Sequence, residues 1–88
     1  MSNIEATVLD REELRAFVAD ELELPVEEVT DTARFAADLG VDSLSAMEVI
    51  VVLQKKYRVK FSEDELPEVT GLGTLYDLLA GKLRAARG

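Results

Sequence analysis

Apolar residues return at spacings of three and four along two stretches, and a third is ambiguous between helix and strand. In the first, Leu14, Phe17, Val18 and Leu22 follow Asp10 and Glu13, an aspartate and a glutamate three positions apart as in a capping box. The spacing predicts a helix over 10–23, ended by Pro25. From Leu24 to Val41 the chain is a long connection with isolated apolar anchors at Val29, Phe35 and Leu39. A connection of that length in a small domain is either functional or packed down by its anchors. In 44–57, Val49-Ile50-Val51-Val52 is β-branched, and Tyr57, Val59 and Phe61 alternate as in a strand. Pattern alone leaves helix and strand open there. Length, a cap signal at Asp42-Ser43, and the shared helical face of Ala46, Met47, Ile50, Leu53 and Tyr57 favour helix. A lone strand would also leave an unpaired edge. Ser62 and Glu65 repeat the capping pattern and predict a short helix near 63–68, bent around Pro67. Thr70 then offers a cap for a last helix, along which Leu72, Leu75, Tyr76, Leu79 and Leu83 share one face up to Arg84. The expected fold is all-α, a small four-helix bundle with three longer helices and one short one. Its expected boundaries are a flexible N-terminus over 1–8, a domain over 9–84 and a tail over 85–88.

At 88 residues, such a domain buries only about 60 to 65% of its unfolded-chain surface, which leaves little room for an enclosed active site. No apolar run nears the ~20 residues that span a bilayer, and no basic-then-apolar leader opens the chain, so a cytoplasmic protein without membrane insertion is expected. There is no cysteine and no histidine. Disulfides, thiolate metal sites and Ser-His-Asp or Cys-His catalysis are thereby excluded, and an intrinsic enzyme is not expected. Any thiol chemistry must use an imported thiol. Net charge is −8, and residues 1–48 carry 13 acids against three arginines while 49–88 are net +2. This acidic half repels nucleic acid and steers basic protein surfaces toward itself, although acidity also serves plain solubility.

The most informative segment is Leu39-Gly40-Val41-Asp42-Ser43-Leu44. Read structurally, Asp-Ser at a helix start is a cap, and Ser43→Ala would cost about 1 kcal/mol with partner binding intact. A helical interaction domain without a prosthetic group would look like this. The hexapeptide in a small acidic chain also resembles the phosphopantetheine attachment motif of acyl carrier proteins. The flanks agree: Glu27-Glu28-Val29-Thr30, Phe35 and Asp38 precede it at family-like spacing and Glu48 follows one helical turn later. The resemblance covers Glu12 to Leu83.

The resemblance implies a non-catalytic carrier. A phosphopantetheinyl transferase would move 4'-phosphopantetheine from coenzyme A to Ser43, with Asp42 helping to hold the transferase's metal or to orient the serine. The thiol of the arm would carry acyl groups as thioesters, which suits a chain without cysteine. Asp38, Leu44, Met47 and Glu48 would form the docking patch for acyl-loading, ketosynthase or acyltransferase-type enzymes. Phe35, Ile50, Val51 and Leu75, and Met47 with them, would line a cavity for the attached chain, or be ordinary core. A monomer without a resident metal is expected: an EF-hand counted from Asp38 needs glutamate at its twelfth position and meets Val49. Gly71-Leu72-Gly73 lacks the third glycine and the βαβ context of a dinucleotide fingerprint. One departure bears on partners. Where fatty-acid carriers continue their second helix with acids, this chain has Ser45 and then Gln54-Lys55-Lys56, with Arg58 and Lys60 beyond. That change of sign favours a specialised pathway, polyketide or related acyl assembly, over general fatty-acid synthesis. Asp42 before the serine fits acyl carriers better than the alternative, an aminoacyl or peptidyl carrier.

Overall fold

The computed structural model describes residues 9–87, in which three α-helices, α1 (Arg11–Leu22), α2 (Ser43–Tyr57) and α3 (Leu72–Arg87), enclose one core. No strand forms among the described residues. The N-terminal stretch 1–8 lies outside the described residues.

α1 begins where Asp10 Oδ1 accepts from Glu12 N at 3.0 Å. It ends at Glu23, whose φ of 59° puts it in the left-handed region, and Leu24 N donates back to Ala19 O at 2.9 Å. α1 packs against both α2 and α3. Leu14, Val18, Leu53, Leu72, Leu75 and Leu79 are fully buried, and each such side chain contributes about 1.5–3 kcal/mol by leaving water.

The chain between α1 and α2 is tied down at several points. Val26–Glu28 form a 3₁₀ turn, and Val29 and Phe35 are buried anchors. Arg15 of α1 donates to Val29 O at 2.6 Å and to Asp31 Oδ1 at 2.7 Å, while Glu12 takes two further bonds from its guanidinium. Further on, Arg34 pairs with Gly71 in an isolated antiparallel bridge, and Phe35 N donates to Thr70 O at 2.8 Å. The loop is therefore held to α1 at one end and to the start of α3 at the other.

Three expectations change. The short element near 63–68 is a turn followed by a 3₁₀ segment, Leu66–Glu68, with Pro67 in its first turn. Proline has no N–H to extend an α-helical ladder, which accounts for the brevity. Glu65 accepts from Ser62 N at 2.8 Å and pairs with Lys82 of α3 at 2.7 Å. At the start of α3 the capping hydroxyl belongs to Thr74 rather than Thr70: Thr74 Oγ1 accepts from Thr70 N at 3.0 Å and Gly71 N at 3.2 Å. α3 itself runs to Arg87, past the end at Arg84 that the apolar stripe predicts.

Candidate functional site

Gly40 has φ of +68°, with nothing within 4 Å of where a Cβ would stand. Backbone conformation, not space, is what calls for glycine there. The turn delivers Val41, whose N donates to Phe35 O at 2.8 Å, and then Asp42. Asp42 is the N-cap of α2, and its Oδ1 accepts from Ser45 N at 2.8 Å. That bond to the backbone N–H, reinforced by the Ser45 hydroxyl, holds the Asp42 carboxyl below the usual carboxylate range, so it stays ionised. Ser43 is the first helical residue and is exposed. The cap is thus Asp42, and Ser43→Ala has no capping bond to lose.

Two grooves meet at Ser43. One, of about 280 Å³, runs toward the loop past Val41 and Ala37, with Arg34 on its wall. The other, of about 240 Å³, runs along Met47 and Ile50 toward Leu66 and Pro67. Both share Ser43, Ala46 and Val69. Between the helices only about 10 Å³ is void, bordered by Phe35, Ile50 and Leu75 among others. That is room for about one water molecule.

Leu44, Met47 and Val51 are 69%, 42% and 42% exposed and lie with exposed Glu48 on one face of α2, by their spacing of three and four. Val51 therefore does not line the interior, as the family resemblance implied it would. One residue beyond Ile50 is about 100° around the helix, which turns Val51 from the core to the surface. Asp38 is exposed, yet its Oδ2 accepts from Arg34 N at 2.7 Å and so closes the loop turn. Among the described residues no group of three or more histidine, cysteine, aspartate or glutamate side chains could hold a metal ion, and no helix is long and apolar enough to cross a membrane.

An exposed serine at a helix N-terminus, at the meeting of two open apolar grooves, can accept a flexible phosphate-linked arm without disturbing the core. Comparison with known proteins bears on that fit. Residues 12–79 match the family described as the phosphopantetheine attachment site. The chain is 49% identical over 87 residues to polyketide-8 synthase acyl carrier protein 2 of Streptomyces avermitilis, covering 99% of this chain and 100% of that one. This chain belongs to the acyl carrier protein family. An acyl carrier protein of Porphyromonas gingivalis is 31% identical over 84 residues, 96% of this chain and all of its own. The fold matches that of the acyl carrier protein from Enterococcus faecalis with a TM-score of 0.68, at 23% identity over 84% of this chain and 99% of that one.

As an acyl carrier protein the chain is a non-catalytic carrier whose prosthetic group is phosphopantetheine. Its partners are a phosphopantetheinyl transferase and synthase-type enzymes. Three features of the site escaped sequence reasoning: the two grooves, the place of Arg34 on one of them, and the close approach of Gly71 to the loop. Only Gly71 gave a signal, since a glycine before a helix marks a close backbone approach as readily as a loose helix start.

Proposed function

We propose that Ser43 is the residue that takes the 4'-phosphopantetheine arm and that the loaded carrier serves a polyketide-type acyl assembly in the cytoplasm. The exposure of Ser43 at the first position of α2, between two grooves, carries the reading. The Streptomyces avermitilis relative, whose name assigns it to a polyketide synthase, supports the pathway class.

In the modification step Ser43 Oγ forms a bond to the phosphorus of coenzyme A that bears the pantetheine. The pyrophosphate P–O bond breaks, adenosine 3',5'-bisphosphate leaves, and the hydroxyl proton passes to the transferase or to water. The arm then supplies a thiol that holds acyl groups as thioesters. The carrier's own residues position that thiol. Asp42 fixes the start of α2 through Ser45 N, so the Ser43 hydroxyl is presented from a rigid helix end. Leu44, Met47 and Glu48, joined by Val51, offer partner enzymes an apolar strip with an acid beside it. Asp38 adds a second acid from the loop. Ile50 borders both the groove beside Ser43 and the interior void, so an attached chain entering the core would pass Ile50 before meeting Phe35 and Leu75. The working unit is a monomeric domain over 9–84, in which the turn and 3₁₀ segment at 63–68 stand as the short fourth element of the bundle.

Intact mass spectrometry tests the assignment, with the parent and Ser43→Ala incubated with coenzyme A, magnesium and a broad-specificity phosphopantetheinyl transferase. Addition of one phosphopantetheine to the parent alone is expected. No addition to folded parent, with the transferase active on a control carrier, would leave a helical interaction domain as the better account. Loading with acyl against aminoacyl substrates then separates the two classes of carrier.

A further inference from the structure

Of the three arginines in the acidic half, two are committed. Arg11 pairs with Asp31 at 3.1 Å and lies 4.4 Å from the centre of the Tyr76 ring. Arg15 pairs with Glu12 and Asp31. Arg34 has no carboxylate within ion-pair distance among the described residues, and it stands on the wall of the groove that also holds Ser43.

The Arg34 backbone is fixed on every side. Its N donates to Asp38 Oδ2, its carbonyl accepts from Asp38 N and Leu39 N, and the residue bridges to Gly71. The long side chain is what remains free to move. A phosphodiester on Ser43 would add a negative charge beside ionised Asp42, in a region where Asp38 and Glu48 are also acidic. The N-terminus of α2 favours an anion, but Asp42 already occupies Ser45 N–H. The charge to be balanced and the uncommitted cation border the same groove.

We propose that the Arg34 guanidinium pairs with the phosphodiester of the arm and lays the first part of the arm along the loop-side groove, against Val41 and Ala37 rather than along Met47. This rests on Ser43 as the attachment residue. Arginine suits the task because its planar fork pairs with two phosphate oxygens at once. The arm would then leave Ser43 in a preferred direction, away from the Leu44–Met47–Val51 strip that meets partners.

The test compares the parent, Arg34→Gln and Arg34→Lys, each with and without the arm. Ionic strength is kept near 20 mM, because at about 0.1 M charges beyond about 10 Å are screened. Two quantities are read: the change in Tm when the arm is added, and the ³¹P relaxation of the phosphodiester. The arm-induced change in Tm is expected to be lower in Arg34→Gln than in the parent by about 2 °C or more. The ³¹P resonance of that variant should narrow toward that of a freely moving arm. Arg34→Lys should recover much of the Tm difference, since it keeps the charge, and less of the ³¹P restriction. Both contrasts should fade in 0.5 M salt, a concentration of roughly the kind at which surface pairs are screened. An arm-induced Tm change and a ³¹P resonance that are the same in Arg34→Gln and the parent would overturn the proposal while leaving Ser43 standing. Failure of the parent to take any arm would overturn both.

Discussion

Gly71 sits where the chain entering α3 crosses the loop that leads to Ser43, and replacing it with alanine should loosen that crossing. A Cβ on Gly71 would stand 2.6 Å from Ala33 O and 3.6 Å from Ala33 C. Its φ is not in the left-handed region, so what the position requires is space rather than conformational freedom. Reaching 3.4 Å, where ordinary contact begins, means parting the two segments by about 0.8 Å. If that displacement falls on the neighbouring pair, the 2.8 Å bond from Phe35 N to Thr70 O stretches to about 3.6 Å and ceases to be a hydrogen bond. Overpacking of this kind costs about 1–3 kcal/mol, and the lost bond about 0.5–1.5 kcal/mol. The stiffer unfolded chain of the alanine variant returns about 0.4–1 kcal/mol. The net expectation is a loss of about 0.5–4 kcal/mol, about 2 kcal/mol at mid-range, or roughly 10–15 °C in Tm for a domain of this size. Urea unfolding gives the free energy, and hydrogen exchange at the Phe35 amide reports whether the crossing has opened. Gly73→Ala is the internal control: its Cβ would meet Asp31 O at 3.2 Å, a contact that a small shift relieves, so its cost should be smaller. Gly71→Ala as stable as the parent, with Phe35 equally protected, would refute the reasoning.

The remaining predictions concern charge and one buried hydroxyl. Asp31→Asn should flatten the acid limb of stability. Arg15 and then Arg11 hold the Asp31 carboxyl below the usual range, so its contribution is present above pH of about 4 and is lost as pH falls through the lower folded value. The parent should exceed the variant in urea unfolding at pH 7, and the gap should narrow as pH falls below about 4 and through the lower folded value; a gap that does not narrow on acidification would contradict the assignment. Comparing the two chains also cancels the relief of general acidic self-repulsion that both gain on acidification. Tyr57→Phe should be neutral to stabilising, by up to about 1 kcal/mol, because Tyr57 Oη is buried without a hydrogen-bond partner among the described residues. Burial, then Glu13 and Asp10, push the Tyr57 pKa up, so the stability tied to the neutral phenol is full below pH of about 10 and lost as pH rises through the folded value. The variant should lack that alkaline loss, and a destabilisation above about 0.5 kcal/mol at neutral pH would show that the hydroxyl has a partner after all.

Local pattern carried α1 and most of α3, because burial of one face at a spacing of three and four is written in consecutive residues, while α2 also needed its length and cap signal. The hard stretch shows the limit of that reading. Val49 and Ile50 face inward while Val51 is exposed, so the β-branched run wraps around the helix rather than lying along a single face. Its residue types argued for a strand, and its length and cap argued correctly for a helix. Asp42 was legible because cap chemistry is local. Thr74 took the part expected of Thr70 because a hydroxyl three residues into the turn can reach back to the N–H groups before the helix, an arrangement that only the geometry reveals. The bridge from Arg34 to Gly71 and the pairing of Arg15 with Asp31 join distant parts of the chain, and no periodicity encodes them. The grooves beside Ser43 exist because of these crossings, which is why Arg34 looked like any surface charge in the sequence.

The contrast between the closed interior and the open grooves bears on the cargo. Opening a void in a packed core costs about 24 cal/mol per Å³, so roughly 100 Å³ costs about 2.4 kcal/mol. Burying about three methylenes returns a similar amount. A saturated chain entering past Ile50 would therefore come close to breaking even. An oxygenated chain would not, because each carbonyl left unpaired among Phe35, Val49 and Leu75 adds about 1–3 kcal/mol. With about 10 Å³ of void at rest, bordered by apolar side chains and not by the buried Tyr57 hydroxyl, the core would discriminate by polarity. On the reading that Ser43 carries the arm, polar intermediates would be left to the grooves beside it, where water can still hydrogen-bond them and a partner enzyme could reach them.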